Sequence, residues 1–166
     1  GAIGHAASTS FFPSKNLGCY GDGGAVFTND DELAAKIRMI VNHGQSKRYY
    51  HDSIGVNSRL DSLQAAVLKV KLRYLDGYSE ARKAVADKYD KAFGATGLIA
   101  PPFRSPFSTH VFHQYTVKLA DSIDRDGLNA FLTEQGIPSM IYYPVPNHLQ
   151  KAYAYYGYKQ GDFKIT

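Results

Sequence analysis

One lysine sits between an aromatic-proline segment and a glycine turn, in Ser10-Phe11-Phe12-Pro13-Ser14-Lys15-Asn16-Leu17-Gly18-Cys19-Tyr20-Gly21-Asp22-Gly23-Gly24. This is where a lysine that forms a Schiff base can be placed. An amine that condenses with an aldehyde must be neutral when it attacks. An ordinary lysine has a pKa of ~10.4, so neutrality near pH 7 asks for a shift of ~3.4 units, about 4–5 kcal/mol. Desolvation or flanking cations supply such a shift; open solvent between a serine and an asparagine does not. On residue type alone Lys15 is an ordinary solvated lysine, so the surroundings must decide.

Other residues that invite chemistry read more plainly. Gly21-Asp22-Gly23-Gly24 has no Gly-x-x-x-x-Gly-Lys-Ser/Thr pattern, and it fails Gly-x-Gly-x-x-Gly because position 26 is Val. It is a tight turn in which glycine lets the backbone pass close to a neighbour, with Asp22 a turn former. His110 and His113 have a spacing that suggests a chelate, but on a strand they point to opposite faces. His43, His51 and His148 have no cysteine or carboxylate pair at ligand spacing, so no metal is expected. Of 13 tyrosines, Tyr142, Tyr143, Tyr153, Tyr155 and Tyr156 gather late in a chain without Trp. Their rings suit a base or a sugar, but core or subunit interface is the preferred reading.

The elements that must position these residues follow from periodicity. Ala25 to Thr28 is a short apolar strand, and Asn29 with Glu32 begins a helix. Leu33, Ile37, Ile40 and Val41 form one buried stripe that ends before Gly44. From 44 to 58 no period holds, and Lys47, Arg48, Tyr49, Tyr50 and His51 crowd into what reads as a long functional loop. A second helix follows Asp61, with a bend expected at Gly77 and a hinge over residues 75–78. Pro101, Pro102 and Pro106 mark an extended connector. Residues 111–119 alternate like a strand. Asp124 or Asp126 caps a helix through Gln135 that stops at Gly136. Met140 to Tyr143 is a further strand and Leu149 to Tyr156 a short helix, which completes a small α/β unit.

Composition sets outer limits. The 166 residues are 44% hydrophobic and 20% charged, ordinary for a globular chain of one domain or parts of two. Against 15 acidic residues stand 19 Lys and Arg, for a net +4 and a pI near 9.0. That balance suits small anions, and no basic run argues for nucleic acid. Cys19 is alone, so no intrachain disulfide forms and a cytoplasmic setting is expected. No apolar stretch is long enough for a membrane span, and there is no leader pattern. The opening at Gly1 and the end at Ile165-Thr166 read as those of a fragment.

The Ser10 to Asp30 stretch resembles the DegT-type sugar aminotransferases, pyridoxal-phosphate enzymes that aminate nucleotide-linked keto sugars. Further blocks of the likeness follow in order: Gly55 to Ala66 (Gly-Val-Asn-Ser-Arg-Leu-Asp-Ser-Leu-Gln-Ala-Ala), His110 to Tyr115, and Gly136 to Pro144. The resemblance implies the C-terminal part of an aspartate-aminotransferase-like (type I) α/β fold. Residues 1–76 would be the end of the cofactor-binding large domain and residues 77–166 an incomplete small domain. It implies that Lys15 holds the cofactor and then moves protons, with a ping-pong rate law. Some relatives carry His at this position and dehydrate instead, so Lys15 favours transamination.

By the same resemblance Ser10 binds the cofactor phosphate. Asn57 reaches the phosphate of a neighbouring subunit, which requires a homodimer with shared active sites. His148 and Tyr143 belong to the sugar-nucleotide loop. Local alternatives stay open: Ser10 capping its own turn, Asn57 forming a turn, His148 at a helix start in solvent. Arg59 suits a phosphate or carboxylate, or equally an ion pair with Asp61. The expected substrates are glutamate and a UDP- or dTDP-linked 3-keto hexose or hexuronate, in glycan or surface-polysaccharide synthesis. Lys47, Arg48 and Arg59 are available to a uronate carboxylate. The competing expectation is an inert interaction or anion-binding module. The family's aspartate for the ring nitrogen, its stacking aromatic and its Gly-Thr-Ser phosphate loop are not in residues 1–166, so no activity is expected from this segment alone.

Overall fold

The structure, a computed structural model, describes residues 3–165. The chain divides into two compact units, Gly1–Lys88 with Arg104–Gln114, and Tyr89–Phe103 with Tyr115–Thr166.

In the first unit, β1 (Ala7–Ser10) pairs antiparallel with β2 (Gly24–Phe27), with Ser10 opposite Gly24. The loop between them carries Lys15 and is pinned by its own backbone. Phe11 N–H donates to Gly23 C=O and Cys19 N–H to Phe11 C=O, both at 2.8 Å. Lys15 N–H donates to Phe12 C=O at 2.8 Å, a turn whose second residue is Pro13, the position that a fixed φ favours. Cys19 is fully buried, and its Sγ donates to the carbonyls of Phe11 and Gly21 at 2.9 Å. Gly18 is required here, because a Cβ would lie 2.5 Å from Pro13 O.

The first helix, α1 (Asp31–Val41), is capped by Asp30, whose side chain accepts from Leu33 N–H at 2.9 Å; the cap is thus one residue beyond the expected Asn29. Thr28 Oγ1, which accepts from Asp30 N–H, sets that shift. Gly44 ends the helix with φ +72, and its N–H returns to Met39 C=O at 2.9 Å.

The expected loop over 44–58 contains a hairpin, β3 (Gln45–Lys47) with β4 (Tyr50–His51). Strands this short show no period. The turn holds Tyr49 at φ +71 where a glycine or asparagine would have signalled it. Gly44 C=O anchors the return by accepting from Asp52 and Ser53 N–H.

Asp61 caps α2 (Ser62–Lys71) by accepting from Leu63 N–H at 2.8 Å. A 3-10 turn at Leu72–Tyr74 then leads into α3 (Leu75–Gly94). Helix continues unbroken through Gly77, and an irregularity precedes it, at 72–74.

The strand expected over 111–119 is also corrected. Only Lys118–Leu119 (β6) is strand, opposite Ile99–Ala100 (β5) in the second unit. Residues 111–117 leave the extended path because Phe112 has φ +44 and is buried. Arg82 on α3 holds that conformation by donating to the carbonyls of Phe112 (3.1 Å) and His113 (3.4 Å). Arg104 lies over the Phe112 ring, 4.8 Å from its centre, and pairs with Asp87 at 2.7 Å.

In the second unit, Tyr89, Phe93 and Tyr115 cluster with centroids 5.1–6.4 Å apart. α4 (Arg125–Glu134) is capped by Asp124, whose carboxylate accepts from Asp126 and Gly127 N–H, and closes at Gly136, φ +72. Met140–Tyr143 is not a strand: among the described residues nothing pairs with it. The helix expected over Leu149–Tyr156 is two 3-10 segments, Asn147–Leu149 and Lys151–Tyr156, too short to repay nucleation of an α-helix. No helix among the described residues is long and apolar enough to cross a membrane.

Candidate functional site

Lys15 leaves the proline turn partly buried, and its Nζ lies 3.5 Å from Nε2 of His113. Burial lowers the His113 pKa below its usual 6.5, and the positive charges of Lys15 and Arg82 lower it further. A neutral imidazole keeps one nitrogen as an acceptor, the complement of an ammonium, which only donates. Asn16 is fixed beside Lys15 by donating from Nδ2 to Val111 C=O at 2.9 Å. Two buried polar atoms at this place, Asn16 Oδ1 and His113 Nδ1, have no partner among the described residues. A half-buried amine with an imidazole at its Nζ, an amide on the next residue and a guanidinium behind the imidazole suits a small polar aldehyde. Among the described residues no three His, Cys, Asp or Glu gather at one point.

His113 and Arg82 are the residues that sequence reasoning missed. Reading 111–119 as a strand set His110 and His113 on opposite faces, a separation that the Phe112 conformation removes. His110 stays exposed and folds back on its own segment, its Nδ1 accepting from Phe112 N–H at 2.9 Å and its ring stacking on Phe112 at 4.3 Å. The available signal was the His110 to Tyr115 block itself.

The other expected site residues fall in separate places. Ser10 Oγ accepts from Phe12 N–H at 3.2 Å, a turn cap at the entrance to the Lys15 loop. Asn57 and Arg59 come together: Arg59 Nε donates to Asn57 Oδ1 at 2.9 Å. With Leu60, Asp61 and Ser62 they line an open cleft of about 470 Å³ at the start of α2. Asp61 serves as the α2 cap, and no ion pair joins it to Arg59. Asn57 also bridges to Asn42. His148 and Tyr143 belong to the second unit. His148 packs against the Phe163 ring at 4.9 Å. Tyr143 is 78% exposed, with its ring edge-on to Tyr142.

A family model for the DegT/DnrJ/EryC1/StrS aminotransferases matches residues 1–166. The chain belongs to that family. It is 52% identical over 98% of its length to a pleiotropic regulatory protein of Geobacillus stearothermophilus, and spans 43% of that protein. It is 49% identical over 89% of its length to a UDP-2-acetamido-2-deoxy-3-oxo-D-glucuronate aminotransferase of Pseudomonas aeruginosa, and spans 40% of it. Among solved structures, Streptomyces venezuelae DesV in complex with a ketimine intermediate superposes with a TM-score of 0.89 at 42% identity, over 97% of this chain and 43% of that one. The chain thus spans less than half the length of these relatives. Its fold is the one the sequence implied, the C-terminal part of a type I aminotransferase.

Proposed function

We propose that these residues belong to a nucleotide-sugar aminotransferase working with pyridoxal 5'-phosphate, in which Lys15 is the catalytic amine. The observation that carries this is Lys15 itself, partly buried on a rigid proline turn with a neutral imidazole at its Nζ. When bound, the cofactor supplies an electron sink for the carbon that gains or loses the amine. Lys15 would hold it through its amine and, once freed, would serve as the base that moves a proton at the donor carbon. Cys19 and Gly18 keep the loop beneath Lys15 from shifting. Ser10, at the end of β1, offers a hydroxyl for the phosphate. Arg59 and Asn57 form a polar cleft suited to an anion. Asn57 serves the neighbouring subunit of a homodimer, which gives the active sites shared composition. Tyr143 and His148 take part in holding the sugar nucleotide.

The substrate class is a UDP- or dTDP-linked 3-keto hexose or hexuronate, with glutamate as donor, in cytoplasmic synthesis of a glycan or surface polysaccharide. The activity named for the Pseudomonas aeruginosa relative supports a 3-keto uronate. Residues 1–76 belong to the cofactor-binding domain and residues 77–166 to the small domain, with segment 104–114 returning to the unit that carries Lys15; nucleic acid and membrane have no part. The test uses the full-length protein. Incubation with pyridoxal phosphate should turn it yellow, borohydride should fix the cofactor on the Lys15 peptide, and a panel of keto sugars with glutamate should identify one that is aminated.

A second reading is favoured by the name of the Geobacillus relative, a regulatory protein. In that case Lys15 stays unmodified and the β3–β4 hairpin, with Lys47 over Tyr50 and Arg48 over Tyr49, meets an anionic partner. A colourless protein with no borohydride-stable mass on Lys15 selects it.

A further inference from the structure

We propose that His113 is a positioning residue for Lys15: its neutral Nε2 accepts a hydrogen bond from the Lys15 amine and aims it, and the kinked segment 110–113 exists to hold the imidazole there. The inference rests on the reading of Lys15 as the catalytic amine.

Several observations converge on it. The Nζ to Nε2 distance is 3.5 Å. His113 Nδ1 is buried without a partner among the described residues. An imidazole kept only for packing would carry the cost of that unsatisfied atom with no return, where a leucine would fill the space without it. Among the described residues no anion pairs with the ring either. The charged groups facing it are Lys15 from the loop and Arg82 from α3, both cations, and both oppose a proton on it. With Lys15 Nζ as the donor, the inference assigns the ring proton to Nδ1 and the acceptor lone pair to Nε2.

The conformation that delivers the ring is held from several sides. Phe112 lies at φ +44, a region that non-glycine residues avoid. It is kept there by two hydrogen bonds from Arg82 to the carbonyls of 112 and 113, by the Phe112 N–H donating to His110 Nδ1, and by Arg104 over its ring. A costly backbone state held in this way marks a place where geometry matters.

The experiment follows the pH dependence of pyridoxal phosphate attachment to Lys15 in the full-length protein, by colour and by borohydride-fixed mass, for the wild type, His113→Leu and His113→Gln. An acceptor at Nζ both aims the amine and stabilises its charged form. Losing it in His113→Leu should lower the high-pH plateau rate about tenfold, the scale of one hydrogen bond that aims the neutral amine. The pH midpoint should fall as well, because the ammonium loses its acceptor. His113→Gln, which keeps an acceptor oxygen, should recover part of both. A purely structural role would change the folded fraction and leave the midpoint in place. Wild-type plateau and midpoint in His113→Leu overturn the inference while leaving the proposed function intact. So does a His113→Gln variant no better than His113→Leu. Should His113→Leu not fold, His113→Ala, which also removes the acceptor, takes its place, and a wild-type plateau and midpoint there overturn the inference in the same way. A wild type that takes no cofactor on Lys15 overturns both.

Discussion

The loop that carries Lys15 and the segment that carries Tyr143 and His148 are built on different principles. Residues 11–23 are held by backbone hydrogen bonds at 2.8 Å, by a wholly buried thiol with two carbonyl partners, and by glycines at which a Cβ has no room. Residues 139–165 have no strand or α-helix, and their rings touch mainly each other, as in Tyr155 with Tyr156 at 4.1 Å and Tyr158 with Phe163 at 5.0 Å. Chemistry at one amine needs sub-ångström placement, which backbone bonding gives. A surface for a substrate of variable shape needs area, which tyrosines give at low entropic cost.

That contrast can be broken at either end. The largest effect is expected from Lys15→Ala in the full-length protein, which should lower the proposed turnover by at least ~10³-fold while circular dichroism stays unchanged; substantial surviving transamination would remove Lys15 from the mechanism. Next, Arg59→Ala should raise KM for an anionic sugar nucleotide about tenfold, the scale of one charge-assisted hydrogen bond, with kcat little affected. An equal fall in kcat would move Arg59 from binding to the reacting centre.

Paired alanine substitutions probe the two constructions directly. Gly18→Ala meets Pro13 O at 2.5 Å and should cost about 2 kcal/mol in a denaturant melt. Gly157→Ala, at φ +75 but with open space around it, should cost about 1 kcal/mol. Equal costs would erase the distinction.

The smallest effect concerns pH. His113 has a folded pKa below 6.5, so below 6.5 the unfolded chain takes up a proton that the folded one refuses. Stability should therefore fall as pH drops through that window, and His113→Gln should flatten the slope; melts between about pH 5 and pH 7 measure it. An unchanged slope means that His113 titrates normally.

Legibility in the sequence followed the range of the interactions. Asp61 and Asp124 were readable as helix caps because a cap bonds to a backbone group within a few residues. The hairpin at 45–51 was not, because its strands are too short for a period and Tyr49 occupies the turn position a glycine would have announced. The strand over 111–119 was misread for a related reason. Its alternation is real, but Arg82, distant in sequence, bonds the carbonyls that a neighbouring strand would have needed.

The residues alone determined that Lys15 sits on a proline turn ahead of a glycine return, because Pro13 and the glycines act on their own φ angles. They also determined the family, through blocks of ordered identity. Only the tertiary structure decided that His113 meets Lys15 and that Arg59 turns to Asn57 rather than to Asp61. The first pairing depends on where side chains from segments 98 residues apart converge, and the second on which of two equally near partners the surrounding backbone presents; no local preference encodes either.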